Sequence, residues 1–306
     1  MKVAVTGASG FVGGRVARAL SAEGHEVISL GRRSAGTLAH PLPNYRVWDI
    51  EEDMPRENVD AVVHSAALVG DWGPDAEYAR ANVAGTERVL RAFSGAGHFV
   101  HISTSSVYSD NQPKRALRED AATGDCITAY GRTKAAAERL VMRARSDAVI
   151  LRPHIVYGPG DSTLLPRLAR AVRFGRLPVP GTGRNHVSVT HVDNLVHAVT
   201  RALGSDANGT FNVADAEPVC IGELLETVFL RARIRAAPVY IPRALAWSLA
   251  TALEMSWPSY HAPRGPVLTH WLVAHMADEH TLDITRAREC LGYAPRWTFA
   301  NGPLGL

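Results

Sequence analysis

The first half of the chain alternates short apolar runs with stretches of helical period. "KVAVT" (2–6), "EVISL" (26–30), "YRVWDI" (45–50), "DAVVHSA" (60–66), "HFVHIST" (98–104) and "AVILR" (148–152) are each predicted as strands. Between them, "FVGGRVARALSAEG", "EYARANVAGTERVLRAF" and "YGRTKAAAERLVMRA" carry apolar residues at helical spacing. Strands that are apolar at nearly every position need cover on both faces. Their alternation with helices predicts an α/β fold built on a doubly wound parallel sheet.

After Pro153 the texture changes. Pro and Gly punctuate "YGPGD", "GRLPVPGTG" and "YAPRW", and helical patterns are expected to dominate. A segment at about 187–213 is expected to return to the sheet. The predicted division is therefore residues 1–152 plus about 187–213 as a nucleotide-binding domain, and about 153–186 plus 214–306 as a smaller, mostly helical substrate lobe. The most apolar helical stretch, "RALAWSLATALEMSW" (243–257), is too short to cross a bilayer and carries Arg243 and Glu254. It is expected to be a core or lid helix, and no integral membrane association is expected.

Composition adds exclusions. A net charge of +3 over 306 residues, spread along the chain, does not point to a nucleic-acid partner. Cys126, Cys220 and Cys290 are isolated and odd in number. With the chain opening on a strand rather than a signal-like segment, this suits a reducing cytoplasm, which is the expected location. His270, His275 and His280 recur at five-residue steps, as do His186 and His191. Five is not a same-face helical spacing and no HExxH is present, so no metal is assigned.

The loop "TGASGFVGG" joins the first predicted strand to the first predicted helix. Gly7, Gly10 and Gly13 allow a tight turn and the close approach of a pyrophosphate to a helix N-terminus, where free N–H groups favour anions. At the end of the second strand an acid would bind an adenosine ribose; here the chain reads "VISLGRRS". Arg32 and Arg33 can instead pair with a 2′-phosphate, which favours NADP(H), with NAD(H) as the alternative. Asp49, ending the third strand, is placed to meet an adenine edge.

Tyr130 precedes Lys134 by four residues, so on a helix the two share a face. The chain has only three lysines and eight tyrosines. A chance Tyr-x-x-x-Lys is then expected roughly 0.08 times per chain. A lysine is a compact, tunable cation, and beside it a phenol can exchange a proton with a carbonyl or alcohol oxygen. The hydroxyl run "ISTSSVYSD" (102–110) ends the fifth strand, where α/β sheets bind ligands.

In this order the motifs resemble the extended short-chain dehydrogenases/reductases, the NAD-dependent epimerase/dehydratase family. They are GxxGxxG, "HSAA" (64–67), "NVAGT" (82–86), "STSSVY" (103–108), Tyr130-x-x-x-Lys134, "LRPHIVYGPGD" (151–161), "VTHVDN" (189–194) and "DITRARECLGYAPRW" (283–297). The resemblance implies a Rossmann domain with a C-terminal substrate lobe and a homodimer. It implies Thr104 as the catalytic hydroxyl, Tyr130 as acid/base and Lys134 as the ribose-binding partner that lowers the Tyr130 pKa, with Ser105 as an alternative to Thr104. It further implies cofactor contacts from Ser9, Phe11 and Val12, from Ile50 beside Asp49, from Ala66, Ala67 and Asn82, and from Pro153. Family members usually have Gly where Ser109 stands.

Two departures weigh against nucleotide-sugar chemistry. Ser105 and Ser106 replace the Asp–Glu pair of the 4,6-dehydratases, and Val187 stands where an arginine would grip a diphosphate, with Arg184 nearby. "RPHIVYGPGD" and "GTGRNHVSVTHVDN" look like the 3β-hydroxysteroid dehydrogenase-like reductases, especially the 2-alkyl-3-oxoalkanoate reductases. That branch implies a hydrophobic β-keto or β-hydroxy substrate, with Trp72 and His154 in the pocket and an apolar lobe containing Trp247, Leu249, Leu253, Trp257, Trp271 and Leu272. A nucleotide-sugar epimerase holding NAD is the competing enzymatic expectation. A redox sensor or scaffold on the same fold is the non-enzymatic one.

Overall fold

The computed structural model describes residues 1–54, 56–161, 171–257 and 265–304. Seven parallel strands form one sheet: β1 (Lys2–Thr6), β2 (Glu26–Gly31), β3 (Tyr45–Val47), β4 (Ala61–His64), β5 (His98–Ile102), β6 (Val149–Pro153) and a strand at Gly209–Val213. Their spatial order is β3-β2-β1-β4-β5-β6 with Gly209–Val213 on the far edge, in register with β6 from Gly209↔Val149 to Val213↔Pro153. The chain order reverses between β1 and β4. This opens a crevice at the carboxyl ends of those strands, where such sheets bind ligands.

Side-chain alternation along the strands sorts the core into two layers. Val3 and Val5 of β1 pack on the face covered by α1 (Phe11–Ala22), through Val16 and Leu20, with Phe211 of the edge strand. Ala4 points the other way, into a cluster with Val62, Val89, Phe99, Val141 and Ile150. That second face is covered by α3 (Gly85–Ala92) and α4 (Ala129–Ala144).

The helix expected at 77–93 is broken into three pieces. A short α2 (Asp75–Tyr78) runs into a π-helical segment (Ala79–Ala84) and then α3. The predicted third strand is shorter than its apolar pattern. It stops at Val47, because the Trp48 indole bonds the Glu52 carbonyl at 3.2 Å and the Asp49 carboxylate bonds the Glu51 N–H at 3.0 Å, closing a turn.

Beyond Pro153 the described residues hold more strand than expected. Three two-stranded pairs form: β7 (Val156–Tyr157) with β10 (Thr190–His191), β9 (His186–Val187) with β12 (Val219–Cys220), and β8 (Arg176–Pro180) with β13 (Ala237–Ile241), Gly209–Val213 being β11. Helices α5 (Val192–Leu203), α6 (Ile221–Arg231), α7 (Arg243–Ser256), α8 (His270–Ala277) and α9 (Thr285–Leu291) follow among the described residues. A separate core of Val179, Val187, Ile221, Leu225, Phe229 and Phe299 belongs to this part, and a small one of Ala246, Ala250 and Val273 joins α7 to α8. No described helix is long and apolar enough to cross a membrane.

Candidate active site

The glycine loop leaves β1 and opens α1. Gly7 has a φ of +71°, and a Cβ there would lie 2.7 Å from the backbone nitrogen of Ala66 at the end of β4. A Cβ on Gly13 would lie 2.4 Å from the Gly7 carbonyl oxygen, so this glycine lets the helix close onto the strand exit. Gly10 is exposed at the N-cap of α1. This bare helix N-terminus fits a pyrophosphate.

The other sequence-predicted cofactor residues lie around the same sheet edge. Ser9 packs on Gly31, and Phe11 reaches Gly160. Val12 is half-buried against the core. Arg32 and Arg33 are exposed just past β2. The chain there is pinned by Tyr45, whose hydroxyl donates to the carbonyls of Gly31 (2.9 Å) and Arg33 (2.7 Å). Ile50 packs against Gly85, and the Ala66 N–H donates to the Thr6 hydroxyl at 3.3 Å. Ala67 follows in the same strand exit, and Pro153 is buried at the end of β6. Two of these residues make bonds within the protein. Asp49 turns its carboxylate into its own turn. Asn82 accepts from the Leu68 N–H (2.7 Å) and donates to the Leu68 carbonyl and the Thr133 hydroxyl, both at 3.1 Å. It braces the β4 exit against α4 rather than presenting its amide to a ligand.

Thr128 caps α4, its hydroxyl accepting from the Gly131 N–H at 3.1 Å, and so fixes the helix start two residues before Tyr130. Thr104, the residue after Ser103 at the β5 exit, accepts from the Ser106 N–H at 3.1 Å and donates to the Ser106 hydroxyl at 3.2 Å, with the Tyr130 phenol close enough for the Thr104 hydroxyl to act on it. Burial pushes the Tyr130 phenol up to about 12, partly offset by the nearby Thr104 hydroxyl. One turn along, the Lys134 ammonium donates to the Ile102 carbonyl at 2.8 Å and lies 3.0 Å from Nε2 of His101. Burial pushes Lys134 down to about 8. Farther along α4, Glu138 takes a two-point ion pair from Arg152 (3.0 and 2.6 Å) and a bond from the Ser103 hydroxyl at 2.5 Å, locking helix, β5 and β6 together.

Ser105, the alternative hydroxyl, points elsewhere: its Oγ is 2.6 Å from Nδ1 of His154 and fully buried. Ser109 bonds the Asn111 N–H at 3.2 Å and has no positive φ, so serine fits where relatives carry glycine.

Two cavities lie nearby, neither lined by Thr104, Tyr130 or Lys134. One of about 140 Å³ includes Trp72, Tyr78, Thr128, Ala129, Thr269 and Trp271. The other, about 370 Å³, includes Lys114, Arg243, Trp247, Ala274, His275 and His280, and Ile127 borders both. Trp72 thus lines a cavity together with Thr128 and Ala129, the two residues before Tyr130. His154 is 3% exposed and lies behind His280, its ring stacked on that histidine at 4.0 Å, so it lines neither cavity. Arg184 is exposed and also outside both.

The model of the NAD dependent epimerase/dehydratase family matches residues 3–214. The chain belongs to that family. Over 99% of its length it is 32% identical to the 2-alkyl-3-oxoalkanoate reductase of Stenotrophomonas maltophilia (strain K279a), covering 97% of that protein. It is also 32% identical, again over 99% of its length and 94% of the relative, to a 4-hydroxy-2-methyl-3-oxo-4-farnesyl-3,4-dihydroquinoline-1-oxide ketoreductase of Stigmatella aurantiaca. Among solved structures, UDP-glucuronic acid 4-epimerase from Bacillus cereus in complex with NAD shares the fold at TM-score 0.75. The identity is 23%, over 100% of this chain and 96% of that one. The protein is therefore an NAD(P)-dependent oxidoreductase of the extended short-chain dehydrogenase/reductase type.

His101 belongs to none of the sequence motifs. Its signal was a histidine inside an otherwise apolar strand, at a position the sheet buries on both sides. The five-residue step between His275 and His280 is an argument against a shared face only within one helix. That argument does not govern the pair, because His280 lies three residues beyond the end of α8.

Proposed function

We propose that this member of the family is an NADP(H)-dependent ketoreductase acting on a hydrophobic β-keto substrate, or the reverse dehydrogenase. The observation that carries the reading is the Tyr130 phenol beside the Thr104 hydroxyl, one helical turn from the buried Lys134 ammonium. The nicotinamide, when bound, supplies or accepts the hydride. The glycine cradle would hold the pyrophosphate, and Arg32 and Arg33 the 2′-phosphate. Thr104 orients the substrate oxygen, and Tyr130 gives that oxygen a proton in reduction or takes one in oxidation. Lys134 stabilises the tyrosinate that remains.

Three features favour a hydrophobic substrate over a nucleotide sugar. Both relatives named above are reductases of 3-oxo compounds. Val187 is fully buried in the β9–β12 pair, so no cation grips a diphosphate from its position. In the larger cavity the charged groups are already paired: Arg243 with Asp278 at 2.7 and 2.8 Å, Arg115 with Glu279 at 3.1 Å, and Lys114 with Asp110. Trp247, Ile127 and Ala274 then offer apolar surface. We further assign residues 1–152 with about 187–213 to cofactor binding and the remainder to the substrate lobe, and propose a homodimer, testable by light scattering.

The test is nicotinamide stoichiometry. Purified protein should oxidise one NADPH per 2-alkyl-3-oxoalkanoate reduced. Epimerisation of a UDP-sugar with no net nicotinamide change would overturn the reading.

A further inference from the structure

We propose that His154, His275 and His280 form a binding site for a divalent transition-metal ion of the zinc class, between the sheet and the C-terminal helices. The three come from separate elements: His154 follows β6, His275 sits on α8, and His280 lies beyond it. Their ligand atoms all fall within 4.8 Å of one another. Tetrahedral zinc with nitrogen ligands needs about 3.4 Å between them, so a pair at the 4.8 Å limit must close by about 1.4 Å.

The surroundings are those of ligating imidazoles. In metal sites the non-ligating ring nitrogen is usually held by a carbonyl, carboxylate or hydroxyl that fixes the tautomer. Here Nδ1 of His154 is 2.6 Å from the Ser105 hydroxyl, and Nδ1 of His275 is 3.1 Å from the Trp271 carbonyl. With Nδ1–H donating in each, Nε2 carries the lone pair. Both His154 and His280 are 3% exposed, and the Nε2 atoms of both are buried without a hydrogen-bond partner. A buried polar nitrogen left without a partner is uncommon and calls for a ligand.

The backbone of His280 is pinned: its N–H donates to His186 and its carbonyl accepts from Ser188, at 3.0 and 2.9 Å. The ring is not held in the same way. It stacks on His154 with 20° between planes, and convergence on one ion requires it to pivot about χ2. Burial holds His154 and His280 well below the ordinary imidazole range, so both are neutral, the form that binds metal. Lys114, whose charge bears on both, is tied to Asp110. His275 and His280 line the 370 Å³ cavity, so a three-histidine ion would turn its fourth position toward it.

The test uses the full chain, stripped with a chelator and titrated with Co²⁺ and Zn²⁺. The expected result is one ion per chain, an intense tetrahedral Co²⁺ visible band, and a zinc-dependent rise in Tm. His280→Gln and His275→Gln should each weaken binding at least tenfold, while exposed His40→Gln should leave it unchanged. His275 is half-buried, so its variant serves if His280→Gln fails to fold. Absence of the band, or equal loss in His40→Gln, would overturn the site, as would unaltered affinity in both cluster variants.

Discussion

The ammonium of Lys134 lies 3.0 Å from Nε2 of His101, and both side chains are almost completely buried. His101 must therefore be neutral with Nε2 accepting, which agrees with its strongly lowered pKa from burial and from the neighbouring Lys134 charge. Next to it His64, also neutral, bridges the Thr6 and Thr86 hydroxyls at 2.7 and 3.0 Å. Lys134 thus rests on a polar column inside the sheet.

His101→Phe should remove an acceptor from a buried ammonium and cost about 1–3 kcal/mol of stability. His101→Gln keeps an acceptor and should cost less. Urea denaturation of the two variants checks this; equal losses would show that ring volume, not the hydrogen bond, matters.

Tyr130→Phe should lower kcat by about 10²–10⁴-fold while NADPH affinity stays within a few-fold. Thr104→Val should also lose turnover. Ser105→Ala should retain it, because the Ser105 hydroxyl faces His154 rather than the Tyr130 phenol. Steady-state kinetics on the three variants decide between the two hydroxyls.

Acid should destabilise the protein steeply. His64, held down to about 3, and His101, His154 and His280, held well below 6.5, stay neutral when folded. The unfolded chain protonates them near ~6.5. Their contribution is complete above that pH and is lost as pH falls below it, at up to about 1.4 kcal/mol per pH unit for each. Urea midpoints between pH 7.5 and 5 should fall accordingly, and less steeply in His101→Phe. A flat profile would refute the neutral, buried assignments.

Replacing both Arg32 and Arg33 with Ala should raise KM for NADPH about tenfold or more and leave KM for NADH nearly unchanged. Equal effects on the two nucleotides would remove the basis for NADP(H) preference.

The sequence by itself determined the fold class, the glycine loop and the Tyr130–Lys134 pair. These are local properties: apolar periodicity, a turn that only glycine fits, and a spacing that any α-helix converts into a shared face. Which hydroxyl meets the phenol was not local. Thr104 and Ser105 are adjacent, and only the turn after β5 sends one toward Tyr130 and the other toward His154. The same holds for the histidines. His154 and His280 are 126 positions apart in the chain, and their stacking depends on how the C-terminal helices fold back against the β6 exit. Burial, which sets the protonation of Lys134, His101 and the histidine cluster, is a property of that packing and not of residue spacing.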